Sequence, residues 1–420
     1  KPSSNASTKK TIHFVHLDLG VGGAERLVVD AAMSLVSKGH KVTIFTTNHP
    51  LDHCFPETNN NPKLPVVVHG NFIPHHFANK FQIICSILRM CYLSFKVIAF
   101  EPKADFIICD GVAACIPVLK IASAKIIFYC HYPDLLLTRK KSFLRSLYRL
   151  PVNILEEVTT ALADEILVNS NFTKATFKKT FKLISREPEV VYPCVDVPAL
   201  DKMLTTKSLP PFKRKNVLFS INRFDPAKRV ETAVNAFAEL CKRNPQAARD
   251  CQLIIAGGYE ASVKSNVDYL QKLQALATQH GLQHSVIFNS KNGISEWKDS
   301  DIIFIPDVSE KNKVEFFKNA LCTIYTPSFE HFGIVPVEAM VCQCPVIGVA
   351  NGGLLETVTT SRENGILCPP DSTNDFADAM EHMVKNPQAA KQMGINGRNR
   401  AKQNFSLETM ANRLHQLVTR

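Results

Sequence analysis

Two doubly wound, Rossmann-like α/β halves, each built on a parallel sheet, are the fold this sequence predicts. Three observations predict it. Short apolar runs alternate with amphipathic helical stretches along almost the whole chain. A glycine-rich turn follows the first apolar run and opens a helix. A stretch rich in Lys, Pro and Ser, 202–215, separates two such series.

In order, Ile12–Leu17 reads as a strand, Asp18–Gly23 as the glycine-rich turn, Ala24–Ser37 as a helix ended by Gly39, and Lys41–Thr46 as the next strand. The glycines do not form G-x-G-x-x-G, so a dinucleotide site is disfavoured. Gly22 and Gly23 still allow a ligand close to the backbone. Further strands are expected at Phe106–Cys109, Lys125–Tyr129 and Glu165–Val168, and Val190–Pro193 closes the first half. After the linker, strands are expected at Val217–Ile221, Leu253–Ala256, Val286–Phe288, Cys322–Tyr325 and Pro345–Val349. Helices are expected at Glu231–Arg243, Val267–Thr278, Ile334–Val341 and Thr373–Val384, and a last one at Ser406–Leu417. Ser290–Asp307 reads as an inserted surface loop. The domains so drawn are 1–200, a linker 201–215, and 216–403, with a terminal helix over 404–420. Two halves joined by a linker predict a cleft between them, where small ligands bind.

A length of 420 residues suits two or three domains, and 45% hydrophobic against 21% charged residues excludes a disordered chain. The 13 cysteines contain no C-x-x-C pair, which reads as free thiols in a reducing compartment, and no metal site is visible. Asn5, Asn171 and Asn404 begin N-x-S/T sequons that a cytosolic location leaves unused. Lys1–Lys10 is polar and basic, without a signal-peptide pattern. The net charge of +11 leans toward the first half and favours an anionic partner there. No zinc knuckle or RNA-binding aromatic motif supports nucleic acid.

The most informative stretch is Ser328–Cys342, S-F-E-H-F-G-I-V-P-V-E-A-M-V-C. It follows a buried strand and starts a helix near Phe332–Ile334, with Pro336 tolerable in the first turn. A helix start after a strand's carboxyl end suits a phosphate. Glu330 in the loop and Glu338 one turn into the helix sit in apolar surroundings, which makes both candidates rather than idle surface acids. A nucleotide-sugar has the matching layout of sugar hydroxyls, diphosphate and ribose hydroxyls. Arg223 and Lys228 follow the Val217–Ile221 strand, where two cations can converge on one diphosphate. On the residues alone they read first as solvated surface charges. His131 follows the Lys125–Tyr129 strand and, alone, reads as well as a structural histidine. Gly352-Gly353 lets the chain pass close to a ligand or makes an ordinary turn.

Two stretches suit a membrane. Phe81–Phe100 is about 30 Å long as a helix. Its cations Arg89 and Lys96 share one face, which favours a helix lying in the interface over one spanning the bilayer. A buried core helix is the other reading. Leu135–Asn153 carries Arg139, Lys140, Lys141, Arg145 and Arg149 among Phe143, Leu144, Leu147 and Tyr148, a mixture that suits anionic head groups and a lipid diphosphate, or else a solvated helix face.

The E-x7-E of Glu330 and Glu338 with A-M following resembles the retaining GT-B glycosyltransferases related to glycogen and sucrose synthases. With the D-L-G-V-G-G-A-E-R run from Asp18 to Arg26 and H-Y-P-D-L-L-L from His131 to Leu137, the chain is similar, from about Ile12 to about Leu417, to their α-1,3/1,6-mannosyltransferases of dolichol-linked oligosaccharide synthesis. The resemblance implies two Rossmann-like domains facing across a cleft. The first lies on the acceptor and membrane side, the second binds the nucleotide-sugar, and the last helix crosses back to the first.

It further implies GDP-mannose as donor, no cofactor or metal, and dolichol-diphosphate-linked acceptors taking an α-1,3 and then an α-1,6 mannose. The place is the cytosolic face of the endoplasmic reticulum, with other mannosyltransferases of the pathway as partners. It makes Glu330, His131, Arg223 and Lys228 catalytic. Donor binding falls to Gly22, Gly23, Arg223, Lys228, Phe332, Gly333, Ile334 and Glu338, and acceptor or membrane contact to Arg139, Lys140, Lys141, Arg145 and Arg149. One departure stands out. The wider family carries Gly before the Arg and after the Lys, where this chain has Asn222 and Arg229. A related transferase with another lipid acceptor such as phosphatidylinositol, or a transferase-like binding protein without turnover, are the competing readings.

Overall fold

The structure, a computed structural model, describes residues 9–76, 81–137, 143–207, 209–288, 294, 296–359 and 361–420. The chain divides into two compact units, 1–194 with 407–420, and 195–406.

The first unit holds a seven-stranded sheet: β1 Thr11–Asp18, β2 Lys41–Asn48, β3 Val66–Val68, β4 Phe106–Asp110, β5 Lys125–Cys130, β6 Glu165–Val168 and β7 Glu189–Val190. They lie in the order β3-β2-β1-β4-β5-β6-β7, and every pairing is parallel. A parallel sheet is covered on both faces, which is why its strands read as continuous apolar runs such as Phe106–Asp110, buried at all five positions. One face packs Phe14, Ile108 and Tyr129 against Val28 and Leu35 of the helix Gly23–Ser37 and against Met410, Leu414 and Val418 of the terminal helix Leu407–Thr419. The other face packs Val15, Ile107 and Phe128 against Met90, Leu93 and Val97.

The second unit repeats the plan with β8 Asn216–Ile221, β9 Cys251–Gly257, β10 His284–Val286, β11 Ile302–Pro306, β12 Cys322–Tyr325, β13 Val346–Val349 and β14 Gly365–Cys368. The order is β10-β11-β9-β8-β12-β13-β14, again all parallel. The order reverses between β1 and β4 in the first sheet and between β8 and β12 in the second, where β10 also lies outside β11 at the edge. Ligands bind beyond the strand ends at such switch points.

Three expectations change. Ser290–Asp307 is not a surface loop. Ile302–Pro306 is the fully buried strand β11, and Trp297, 2% exposed, stacks on Phe212. Residues 289–293 and 295 lie outside the described ones.

The unit boundary falls at Cys194–Val195 rather than at 200, and 201–215 is no free tether. Its first residues end the helix Val197–Leu204, the Trp297 indole donates to the Pro210 carbonyl at 2.9 Å, and Arg214 reaches the Cys251 carbonyl at 2.8 Å.

Arg89 does not face a bilayer. It lies on the buried side of the helix Gln82–Phe100 and is 1% exposed, while Lys96 lies over the Phe100 ring at 4.0 Å. That helix is half core, through Cys85, Met90, Leu93 and Val97. On its other side it exposes Ile84, Leu88, Phe95 and Phe100.

Candidate functional site

In the second unit the loops after β8 and β12 build one cluster at the switch point. Glu330 sits in the loop between β12 and the helix Ile334–Val341. Its Oε2 accepts from the Lys228 ammonium at 3.0 Å and from the Tyr325 hydroxyl at 2.8 Å. Lys228 ends a short 3₁₀ turn, Pro226–Lys228, capped by Asp225, whose carboxylate accepts from the Ala227 amide at 2.8 Å. The Thr326 hydroxyl donates to the Lys228 carbonyl at 2.8 Å, tying the two loops together. Tyr325 is buried, and burial together with the Glu330 charge keeps its phenol protonated far above the usual range. Tyr325 is therefore a permanent donor that fixes the carboxylate's rotamer. Arg223 is exposed in the same loop and makes no hydrogen bond or ion pair among the described residues.

The family's glycines acquire a physical meaning here. Arg229 stands at φ +50°, in the left-handed region that favours glycine. The turn is kept without Gly, and the Arg229 guanidinium is held by Asp371 at 2.8 Å. Gly352 and Gly353 support the Glu330 loop itself. A Cβ on Gly352 would stand 2.3 Å from the Glu330 carbonyl, and one on Gly353 2.4 Å from the Phe332 Cα. The Gly353 amide donates to that Glu330 carbonyl at 2.9 Å.

Gly333, at φ +88°, is the N-cap of the helix Ile334–Val341, and no side chain caps it. Pro336 brings no amide of its own, so the first turn offers the amides of Ile334 and Val335. Phe332 is buried against Phe405. One turn on, Glu338 pairs with Lys313, Nζ to Oε1 3.0 Å. Lys313 also meets Glu310 at 2.6 Å. Burial pushes the Glu338 carboxyl up and the Lys313 charge opposes it, with a net rise.

In the first unit a second cluster lies at the ends of β1, β4 and β5. His131 Nε2 is 2.8 Å from Oδ2 of Asp110, and Asp110 Oδ1 is 2.7 Å from His16 Nδ1. The other ring nitrogen of His16 is 2.9 Å from the Asp18 carbonyl. Both His16 nitrogens thus face acceptors, which demands the imidazolium. Burial opposes that charge, but Asp110 outweighs it and His16 rises to about 9. Burial likewise pushes Asp110 up, and the two histidines overcome it and hold the carboxyl well below its usual range. Asp18 is gripped by Arg89 through two bonds, 2.6 and 3.0 Å, and His75 meets the same guanidinium at 2.9 Å.

Gly22 is the N-cap of the helix Gly23–Ser37, and a Cβ on Gly23 would meet nothing within 4 Å. Gly22, Gly23 and His131 belong to the first unit and the other donor-binding and catalytic candidates to the second. Arg139, Lys140 and Lys141 lie outside the described residues, as do the side chains of Arg145 and Arg149 on the helix Phe143–Ala161. Among the described residues no group of three His, Cys, Asp or Glu side chains is placed to hold a metal ion.

Sequence reasoning missed Tyr325, Lys313, Asp110, His16 and the Arg89–Asp18 pair. Tyr325 and Asp110 are the last residues of strands at a switch point, and that position is the signal that points to them.

The family profile described as Glycosyl transferases group 1 matches residues 202–298 and 296–400, and Glycosyltransferase Family 4 matches 21–198. The chain is 41% identical to Alpha-1,3/1,6-mannosyltransferase ALG2 of Homo sapiens, covering 98% of this chain and 96% of that protein. To the protein of the same name from Rhizomucor pusillus it is 40% identical, over 98% and 92%. The chain belongs to the α-1,3/1,6-mannosyltransferase family. Its fold is GT-B. Sucrose-phosphate synthase from Thermosynechococcus elongatus superposes with a TM-score of 0.71 at 19% identity, over 97% of this chain and 98% of that one. The OtsA apo structure superposes with a TM-score of 0.72 at 13% identity, over 98% and 99%. Membership of this family makes the protein a glycosyltransferase enzyme, and the Glu330–Lys228 cluster lies inside the group 1 match.

Proposed function

We propose that this protein transfers mannose from GDP-mannose to dolichol-diphosphate-linked Man1GlcNAc2 in α-1,3 linkage and then to Man2GlcNAc2 in α-1,6 linkage. The observation that carries the reading is the Lys228–Glu330–Tyr325 cluster at the β8/β12 switch point, in a chain about 40% identical over nearly its whole length to α-1,3/1,6-mannosyltransferases.

Donor and product linkages are both α, so configuration is retained. Front-face displacement serves this: the glycosidic C–O bond to the diphosphate breaks as the acceptor hydroxyl approaches the same face, and its proton passes to the departing diphosphate oxygen. Charge then develops on the diphosphate. Lys228, Arg223 and the uncapped helix start at Gly333–Ile334 supply positive potential for it, fixed in place before the reaction. Each charge-assisted hydrogen bond is worth about 1.5–3 kcal/mol. Lys228 leaves Glu330 in part to meet the diphosphate, and Tyr325 keeps Glu330 aimed at the sugar hydroxyls. Glu338 accepts the ribose hydroxyls. Gly22 and Gly23 give the donor backbone access, and Phe332 packs the loop that carries Glu330. His131, its Nε2 occupied by Asp110, is the first unit's candidate for contact with a mannose hydroxyl.

The acceptor is a membrane lipid, and the first unit carries features that suit a bilayer surface. The helix Gln82–Phe100 has a mean hydropathy of 1.8 and an exposed apolar side. The helix Phe143–Ala161 exposes Leu150, Ile154, Leu155 and Val158. Ile84, Leu88 and Phe95 rest in the interfacial layer of the cytosolic face of the endoplasmic reticulum, and the basic stretch 139–149 meets the lipid diphosphate. Other mannosyltransferases of the pathway are its natural neighbours there.

The test is an assay of GDP-mannose against UDP-sugars with a short-chain lipid-diphosphate acceptor, with phosphatidylinositol alongside. Transfer from GDP-mannose to the lipid diphosphate alone supports the reading. Transfer to phosphatidylinositol, or from a UDP-sugar, contradicts it.

A further inference from the structure

We propose that Lys313 is a positioning residue that keeps Glu338 an ionised, fixed acceptor for the two ribose hydroxyls of the donor, a role that rests on the ribose reading of Glu338 above. Lys313 sits one turn into the helix Glu310–Asn319, whose start is fixed by the Ser309 cap at 3.2 Å. It is 8% exposed, so its ammonium has left water almost completely. Two carboxylates compensate it: Glu338 at 3.0 Å on the inner side and Glu310 at 2.6 Å on a residue that stays exposed.

The division of labour follows from the oxygens. Oε1 of Glu338 is spent on Lys313, and Oε2 receives no hydrogen bond from any described residue. The side chain keeps about a fifth of its surface exposed, at 19%. A vicinal diol offers two O–H donors, and the two lone pairs of the open Oε2 can accept both while the carboxylate is ionised; a protonated carboxyl has to donate through one of its oxygens. Burial alone drives Glu338 toward that wrong state. Lys313 opposes the drift with its charge, and through one short contact it holds the rotamer. It touches no substrate itself.

The test is isothermal titration of the full chain with GDP and with 2′,3′-dideoxy-GDP. The wild type binds GDP tighter by about tenfold or more, the worth of hydrogen bonds to a charged group. Lys313→Met loses that preference, so its two affinities fall within about twofold, while its affinity for the dideoxy nucleotide stays at the wild-type value. Lys313→Gln does the same and supplies a second removal of the charge. Lys313→Arg restores the preference. The ratio of affinities is read on one folded population, so partial misfolding lowers the binding stoichiometry and leaves the ratio intact. A wild-type preference retained in both Lys313→Met and Lys313→Gln overturns the proposal and spares the ribose reading. A wild type that binds both nucleotides equally overturns the ribose reading itself.

Discussion

The Lys228 ammonium and the Tyr325 hydroxyl converge on a single oxygen, Oε2 of Glu330, from 3.0 and 2.8 Å. The two partners differ in kind. The lysine is about a quarter exposed and sits on a short turn, so it can exchange the carboxylate for a phosphate. The tyrosine is the buried last residue of β12 and cannot leave. Tyr325→Phe therefore lowers kcat about 5- to 20-fold while donor binding changes little, because it removes the restraint on Glu330 and no ligand contact. Steady-state kinetics with varied donor checks this.

Arg223→Ala and Lys228→Ala each weaken GDP binding by about tenfold or more, by loss of a charge-assisted contact. Lys228→Ala also slows turnover, since the departing charge is left unmatched. Isothermal titration separates the effects. Unchanged GDP affinity in both variants makes the two cations surface decoration.

The His16–Asp110 pair gives the first unit a pH dependence with a definite sign. His16 rises from 6.5 to about 9 on folding, so its stabilisation is fully present below pH 6.5 and is lost as pH climbs through 9. Asp110 moves the other way, so its share is present above the ordinary carboxylate range and fades in acid. The shift of His16 corresponds to something on the order of 3 kcal/mol. The denaturation midpoint of the wild type therefore falls between pH 7 and 10 more steeply than that of the double variant His16→Asn with Asp110→Asn. Parallel pH profiles would refute the pairing.

Replacing Ile84, Leu88 and Phe95 by Ser removes apolar surface only from the exposed side of the helix Gln82–Phe100. The variant floats less with liposomes and keeps the wild-type melting temperature. A collapse in stability with unchanged flotation would return the whole helix to the core.

Much of this was legible in the sequence, because the informative features are local. Buried parallel strands read as apolar runs, and the loops after β8 and β12 carry their charges within a few residues of the strand ends. The rest is contact between distant residues. Asp110 lies 94 residues from His16 and 21 from His131, and Lys313 lies 25 from Glu338, so no motif joins them. Arg89 misled because helical periodicity set it beside Lys96, whereas Asp18, 71 residues away, draws it inward. Strand β11 was hidden by the polar residues before it, which disguised a buried run as part of an insertion. Gly352 and Gly353 were read as room for a ligand or as a turn, and they are room for the backbone that carries Glu330.

On the proposed function, one donor site, built on Glu330 and Lys228, makes both linkages. Of the three E-x7-E spacings in the chain, Glu157/Glu165, Glu231/Glu239 and Glu330/Glu338, only the last begins in a strand-to-helix loop and is followed by A-M, and one Arg223/Lys228 pair stands beside it, so the first product has to return with another hydroxyl presented. The direct measurement is the rate of Glu330→Gln with each purified acceptor separately, Man1GlcNAc2 and Man2GlcNAc2 on a lipid diphosphate. A folded variant that loses both additions together, each by about a hundredfold or more, is the predicted result. A variant that loses one linkage and makes the other at the wild-type rate would contradict it.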